Sequence, residues 1–171
     1  MRQRVLFVLG LPLLLVALIW AAPSALAVSP HFVSASASIS GTNLVVSFKE
    51  AGLGTNQLIN YTAAADATAT VVCVNNGGAN PSASNKTTVS GPVTASGTFN
   101  SGKNGNVTAS LTLMPPSPPS TFSCPNGQSE ATAEVTYTNV SITDTTNGIT
   151  EPIPGTFTTG CLLPNVRGAC D

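Results

Sequence analysis

The chain has 171 residues, of which 8% are charged, and it carries a single His and a single Trp. Six basic and seven acidic residues give a net charge of −1 without forming a basic stripe, so neither nucleic acid nor an anionic membrane is expected as a partner. The lone imidazole also excludes most serine-type hydrolases, because their nucleophile needs a general base beside it.

The first 27 residues have the layout of a secretory signal peptide. Arg2 and Arg4 give a basic start, Val5 to Trp20 an apolar stretch, and Ala25 to Ala27 a small-residue cleavage pattern. A helical signal peptide over residues 1–27 is therefore predicted, with a secreted, extracellular mature chain that begins at Val28. A retained membrane helix of roughly 20 residues is the alternative, which the absence of a basic stop-transfer cluster disfavours.

Removal of this segment leaves residues 28–171, enough for a single secreted domain with its own core. Residues 28–171 contain four basic and seven acidic residues, which gives a net charge of −3. No cofactor is expected, and no membrane attachment after cleavage.

Period-two alternation of apolar residues predicts strands from soon after the cleavage site. A turn at Ser40 to Asn43 separates the first two strands, and a further pair is predicted over Leu58 to Thr62 and Ala67 to Val74. The apolar members of the first two strands are Val33, Ala35, Ala37 and Ile39, then Leu44, Val46 and Phe48.

Two clear alternations follow in the middle of the chain. Val93 to Phe99 and Val107 to Leu113 each place an apolar residue or Gly at every second position, and Ser101 to Asn106 joins them. These two segments are predicted to form a β-hairpin. Tyr61 and Tyr137 are in phase with apolar neighbours, so both are expected in the core.

The alternation changes phase near the end of the chain. Apolar residues are odd-numbered from Ala131 to Tyr137 but even-numbered from Val140 to Ile142, which predicts a bulge or bend after Asn139. A turn at Asn147-Gly148 precedes a last strand near Ile153 to Thr158. About eight strands with short turns and no amphipathic helix predict an all-β fold, an antiparallel Ig-like β-sandwich.

Four cysteines, Cys73, Cys124, Cys161 and Cys170, lie in a chain expected to be exported, which favours two disulfides. Three pairings are possible. Cys73 with Cys124 and Cys161 with Cys170 is preferred, because the second pair then closes a short loop at the C-terminal end. The first bridge closes a loop of about 50 residues and is worth roughly 4 kcal/mol by chain entropy. A zinc site is the alternative, disfavoured because no C-x2-C pair exists.

Two irregular segments are associated with the first predicted bridge. Residues 75–85 (NNGGANPSASN) follow Cys73, and residues 114–120 (MPPSPPS) lead to Cys124. If these cysteines pair, both loops lie at one end of the sandwich, and loops on a rigid scaffold commonly carry binding function. Solvated connections without function are the alternative. The candidate binding-loop residues are Asn75, Asn76, Asn80 and Asn85.

Carboxylates are the remaining route to catalysis. Glu130 and Glu134 are four residues apart, so on one strand they are expected to share a face at about 13 Å separation. That exceeds the spacing of glycosidase carboxylate pairs. His31 is expected to be an exposed residue of a mobile N-terminal end. No residue is assigned as catalytic.

Asp66, Asp144 and Glu151 could meet only through the fold, and solvated surface positions are expected for them. A calcium site built from Asp144, Asn147 and Glu151 is considered, because hard cations take carboxylate and amide oxygens. Its spacing does not match the EF-hand loop, and no metal ligand is assigned.

Four segments together resemble small exported β-sandwich proteins of filamentous Gram-positive bacteria. They are Ser47 to Gly54 (SFKEAGLG), Ile59 to Pro81 (INYTAAADATATVVCVNNGGANP), Ser84 to Leu111 (SNKTTVSGPVTASGTFNSGKNGNVTASL) and Phe122 to Gln128 (FSCPNGQ). The resemblance implies a bacterial extracellular setting and supplies no catalytic residue. The tail from Cys161 to Cys170 lies outside it.

Three functional classes remain open. The favoured one is a non-enzymatic extracellular binding or structural protein, whose partner is an extracellular protein, a cell-surface component or a small ligand. The second is a carrier of a small apolar ligand, by analogy with secreted bacterial sandwiches of similar composition. The third is a carboxylate-dependent extracellular hydrolase.

Overall fold

A computed structural model describes residues 29–78 and 85–170. The predicted signal peptide lies outside these ranges, and within them no helix is long and apolar enough to cross a membrane. The strands of the described residues are β1 (His31–Ser40), β2 (Asn43–Ala51), β3 (Leu58–Asn75), β4 (Lys86–Asn100), β5 (Val107–Leu113), β6 (Gln128–Asp144), β7 (Ile149–Ile153) and β8 (Phe157–Thr158).

The strands form two antiparallel sheets. The smaller sheet has the order β1-β2-β5, and the larger has the order β4-β3-β6-β7, with β8 paired to another part of β6. The chain therefore changes sheet after β2, β4 and β5, a Greek-key type of connection found in Ig-like sandwiches. The predicted all-β antiparallel sandwich is confirmed.

The core lies between the sheets because every second residue of the central strands points inward. In β3 the odd-numbered residues from Ile59 to Cys73 are each at most 4% exposed. The even-numbered residues Leu44 to Phe48 of β2 face them across the core. Tyr61 and Tyr137 are 1% and 0% exposed, which confirms their expected burial.

Tyr137 connects the two sheets at the turn between β1 and β2. Its hydroxyl donates a hydrogen bond to the backbone oxygen of Thr42 at 2.8 Å and lies 3.5 Å from that of Leu113. Burial raises the pKa of this phenol to about 12. The large aromatic ring is thus buried while its polar end is satisfied.

Two predicted elements differ from the structure. The expected pair of strands over Leu58 to Thr62 and Ala67 to Val74 is the single 18-residue strand β3. Residues 63–66 contain no Gly or Pro to form a turn, and β3 pairs there with β4 on one side and β6 on the other. Because β3 is paired on both sides, it continues as one strand across this alanine-rich segment.

The expected hairpin of Val93 to Phe99 with Val107 to Leu113 is also wrong. These segments belong to β4 and β5, which lie in different sheets. The connecting loop instead meets the loop after β2, where the buried Ser101 hydroxyl donates to the backbone oxygen of Gly54 at 2.6 Å. Alternation identifies both strands correctly but does not reveal their pairing partners.

The phase change predicted after Asn139 is confirmed as a β-bulge. Two residues of β6 lie opposite Ala65 of β3, and the register of the ladder shifts there. Asn139 has a φ of 52°, in the left-handed region that Asn tolerates better than most residues. Its amide Nδ2 donates to the carboxylate of Asp66 at 2.7 Å.

Both edges of the larger sheet carry a proline, Pro92 in β4 and Pro152 in β7. The Ser101 amide donates to the Gln57 carbonyl at 2.9 Å, in register with the ladder between β3 and β4. Odd-numbered residues of β4 therefore bond to β3, and the even-numbered Pro92 faces outward. A proline there removes an N–H that a further strand would need.

Candidate functional site

Both predicted disulfides are confirmed, and no free cysteine occurs in the described ranges. Cys73 bonds to Cys124 across 51 residues, and Cys161 bonds to Cys170 across 9. Two such bridges are typical of proteins of an oxidising, extracellular environment.

The first disulfide fastens the connection between β5 and β6 to the inward face of β3. Cys73 is 0% exposed and lies in phase with the inward residues Ala69 and Val71. Its partner Cys124 belongs to the irregular segment 114–127. That segment is thereby held at the end of β3 opposite to Leu58.

The second disulfide lies in the C-terminal segment, which covers the other face of the same strands. Val72 points away from Cys73, yet it is 0% exposed because it packs in a cluster with Ala133 and Ala169. The Leu162 amide donates to the Ala133 carbonyl at 2.8 Å. The two disulfide-closed segments thus enclose one end of the β3–β6 pair from opposite faces.

Three of the four predicted binding-loop residues are described, and they lie at this end; Asn80 falls outside the described residues. Asn75 is paired with Gln128, and the Asn85 amide Nδ2 donates to the Gln128 side-chain oxygen at 3.0 Å. Asn76 is exposed at the turn that follows β3. We call Asn75, Asn76, Asn85, Cys124 and Gln128 the stapled end.

A groove of about 640 Å³ lies along the edge of the larger sheet, beside the connection between the end of β7 and the start of β8. This volume is within the range of small-molecule sites. Val140 and Ile153 form its buried floor, and Asn139 and Ser141 supply polar groups. We call it the edge groove; it is lined by Asn139, Val140, Ser141, Pro152, Ile153, Pro154 and Gly155.

A buried acidic cluster lies at the end opposite to the stapled end. Glu50, the inward residue near the end of β2, is 0% exposed. Asp144 at the end of β6 is also 0% exposed, so the expected surface position is wrong for this residue. Tyr61 pairs with Asp144 and is 1% exposed. Neither carboxylate oxygen of Glu50 nor the Tyr61 hydroxyl has a hydrogen-bond partner among the described residues.

Burial is the largest influence on the acid strength of this cluster. Loss of hydration raises the pKa of Glu50 from 4.5 to about 7. The Tyr61 hydroxyl lies close enough to favour the ionised form, although its geometry is not that of a hydrogen bond, while the Asp144 charge favours the protonated form. Burial and the nearby carboxyl groups likewise raise the pKa of Tyr61.

Asp144 is bound by the turn between β6 and β7. Its Oδ1 accepts hydrogen bonds from the backbone amides of Thr146 and Asn147 at 2.8 and 2.9 Å, and its Oδ2 accepts one from the Asn147 amide Nδ2 at 2.6 Å. Asn147 therefore directs its backbone N–H and its side-chain Nδ2 toward the Asp144 carboxylate, as hydrogen-bond donors. Glu151 is exposed on β7, paired with Ile142. No cluster of three acidic, His or Cys side chains in the described ranges is placed to hold a metal.

The remaining predicted carboxylates are spread over the larger sheet. Glu130 pairs with Cys73 and Glu134 with Thr70, and a register shift separates these pairs. Paired residues share a face, so the expectation that Glu130 and Glu134 share one is wrong: the bulge between them places them on opposite faces. Asp66 is exposed and accepts the hydrogen bond from Asn139.

His31 is exposed, as expected, but it is the first residue of β1 and not part of an unstructured end. It pairs with Ala51, and its Nδ1 lies 2.9 Å from the backbone oxygen of Ser29. The ladder to β2 orders this part of the chain.

Sequence reasoning missed Glu50. The available signal was its parity, because Glu50 continues the inward series of Leu44, Val46 and Phe48. A carboxylate in an inward phase is unusual and indicates a special environment. Its neighbour Asp144 is far away in sequence, so only the fold brings the two together.

Comparison with known proteins gives no relative. No protein-family model, no curated protein and no solved structure matches the chain.

Proposed function

We propose that the chain is a secreted, non-enzymatic extracellular binding or structural protein that contacts its partner through the stapled end. The observation that supports this proposal most strongly is the placement of the two disulfides. They hold irregular segments on opposite faces of the same strand ends. Loops fixed to a rigid scaffold lose little conformational entropy on binding.

The chemistry of the stapled end favours an uncharged polar partner. Asn76, Asn85 and Gln128 carry amide groups, which donate and accept hydrogen bonds without charge. The bonds between Asn85 and Gln128, and between the Asn75 oxygen and the Gly77 amide at 3.0 Å, hold this surface in place. A cell-surface component or an extracellular protein with exposed hydroxyl and peptide groups fits these contacts.

Export is tested separately from binding. The intact mass of protein from culture medium should correspond to a chain that begins at Val28 and lacks four cysteine protons. A mass that retains residues 1–27, or free thiols, would contradict the extracellular proposal.

Binding is tested with labelled mature protein and the cell-envelope fraction of the producing organism. Asn76→Ala combined with Asn85→Ala should weaken binding by roughly tenfold, the effect of losing about 1.4 kcal/mol of contact energy. Asn104→Ala combined with Asn106→Ala, in the loop before β5, is the matched control and should bind normally. Equal binding by both variants, or absence of saturable binding, would refute a role for the stapled end.

The edge groove favours a second candidate, the carrier of a small apolar ligand. Its volume and its Pro, Ile and Val lining suit a ligand with one polar group that reaches Asn139 or Ser141. Native mass spectrometry of the secreted protein should then reveal a bound small molecule. Ser141→Phe should fill the groove and abolish this added mass, whereas Thr143→Phe, two residues further along β6, should retain it. A ligand-free native mass would remove this candidate.

A further inference from the structure

The start of β1 is attached separately from the rest of that strand. β1 is an edge strand of the smaller sheet, and its strand partner is β2. His31 and Phe32 pair with the end of β2, but the register shifts between Phe32 and Ser34, where Val33 is displaced. Because the ladder is interrupted there, the first residues can detach while the pairing from Ser34 onward is kept.

This start of β1 lies against the segment that contains Glu50. Phe32 pairs with Glu50, and its ring lies 6.1 Å from that of Phe48 and 6.4 Å from that of Tyr61, between centroids. Ser29 approaches Gly52 so closely that a Cβ on Gly52 would overlap the Ser29 carbonyl oxygen. Aromatic packing and close backbone contact thus hold the chain over the acidic cluster.

The groups around Glu50 make its charged form costly. Tyr61 faces it from β3, Asp144 from β6 and His31 from β1, whereas its neighbour on β5 is the uncharged Val107. Only His31 can bring positive charge, and it is exposed at the surface. An ionised Glu50 would therefore be buried beside a second carboxyl group, with the Tyr61 hydroxyl as the one nearby donor among the described groups around it and with no buried positive charge there. Proteins avoid such a situation by retaining the proton or by admitting water.

We propose that Ser29–Val33 is a pH-dependent cover over Glu50, which stays closed while Glu50 is protonated and opens as Glu50 loses its proton. Opening gives the new carboxylate access to water and separates it from its apolar surroundings. The ladder of β1 from Ser34 to Ser40 remains paired in the open state. The cover is distinct from both the stapled end and the edge groove.

Proton linkage fixes the direction and the range of the effect. The pKa of Glu50 is about 7 in the closed state and returns toward 4.5 in water. The opening constant therefore increases about tenfold per pH unit between these values and is constant above them, a total of roughly 300-fold. The cover is closed in mild acid and loosens as the medium approaches neutrality.

Amide hydrogen exchange of the disulfide-bonded protein, followed by NMR from pH 4.5 to 8, tests this proposal. After correction for the chemical exchange rate, protection in residues 31–33 and 50–51 should fall by more than about a hundredfold and then become constant. Amides of residues 37–40, at the other end of β1, are the internal reference and should keep their protection. A pH-independent opening, or an equal loss of protection in the reference amides, would overturn the proposal.

Three variants identify the group responsible. Glu50→Gln should abolish the pH dependence of protection. Asp144→Asn retains an acceptor for the turn and should move the transition to lower pH, because a neighbouring negative charge is removed. His31→Gln should leave the transition in place. If Glu50→Gln fails to fold, an unshifted transition in Asp144→Asn would still overturn the proposal, as would loss of the transition in His31→Gln.

Discussion

Glu50 should lower the free energy of unfolding of this protein at neutral pH, and Glu50→Gln should restore it. The pKa of Glu50 is raised from 4.5 to about 7 in the folded state. Each pH unit of this difference corresponds to about 1.4 kcal/mol, so the group destabilises the fold by about 3 kcal/mol once it is ionised in both states. Stability associated with this proton is complete below pH 4.5 and is lost as the pH rises to about 7.

The assay is urea unfolding without reductant at several pH values between 4.5 and 8. Glu50→Gln should match the parent protein within about 1 kcal/mol at pH 4.5, because Gln resembles the protonated carboxyl in shape. At pH 7.5 the variant should be more stable by about 3 kcal/mol. Parallel curves for the two proteins across this range would show that Glu50 is not ionised within the fold, and the reasoning would fail.

Three further predictions concern other parts of the fold. Joint replacement of Cys161 and Cys170 by Ser should cost about 2.5 kcal/mol by chain entropy for a 9-residue closure; unchanged urea unfolding would contradict this. Tyr137→Phe should cost about 1 kcal/mol, because the bond to the Thr42 carbonyl is lost; a midpoint equal to that of the parent would contradict it. Pro92→Thr should promote self-association, which sedimentation velocity detects, since the outward edge of β4 regains its N–H. A strictly monomeric variant would refute that.

Local patterns in the sequence predict the strands of this protein well. Alternation locates the inward residues of β2, β5 and the part of β6 from Val135 onward, and the change of parity after Asn139 predicts a bulge that the structure contains. It does not reveal the earlier bulge in β6, which places Ala133 on the outer face beside Val72. These features depend on a few neighbouring residues, whose side chains alternate between the two faces of a strand. The pairing of Cys161 with Cys170 is predictable for a similar reason, since closure of a short loop is favoured by proximity along the chain.

Alternation does not show which strands pair with one another. Val93 to Phe99 and Val107 to Leu113 have the pattern of a hairpin, yet β4 and β5 lie in opposite sheets. Alternation shows that a strand has one apolar face. The same pattern arises whether the next strand in the chain lies beside it in one sheet or opposite it in the other sheet. The acidic cluster is hidden for the same reason, because Glu50 and Asp144 meet only after two sheets have packed together.

The two ends of the sandwich are stabilised by different means, and this difference should govern how the fold responds to its surroundings. At the stapled end, Cys73 and Cys124 form a covalent bond that pH does not break under oxidising conditions. At the opposite end, Glu50 is held among apolar groups and weakens the fold as it ionises. A rise in pH should therefore expose amides near Glu50 while the stapled end keeps its shape. Reduction should do the reverse, releasing residues 114–127 first. A binding surface placed at the disulfide-closed end is thereby insulated from the pH changes that loosen the other.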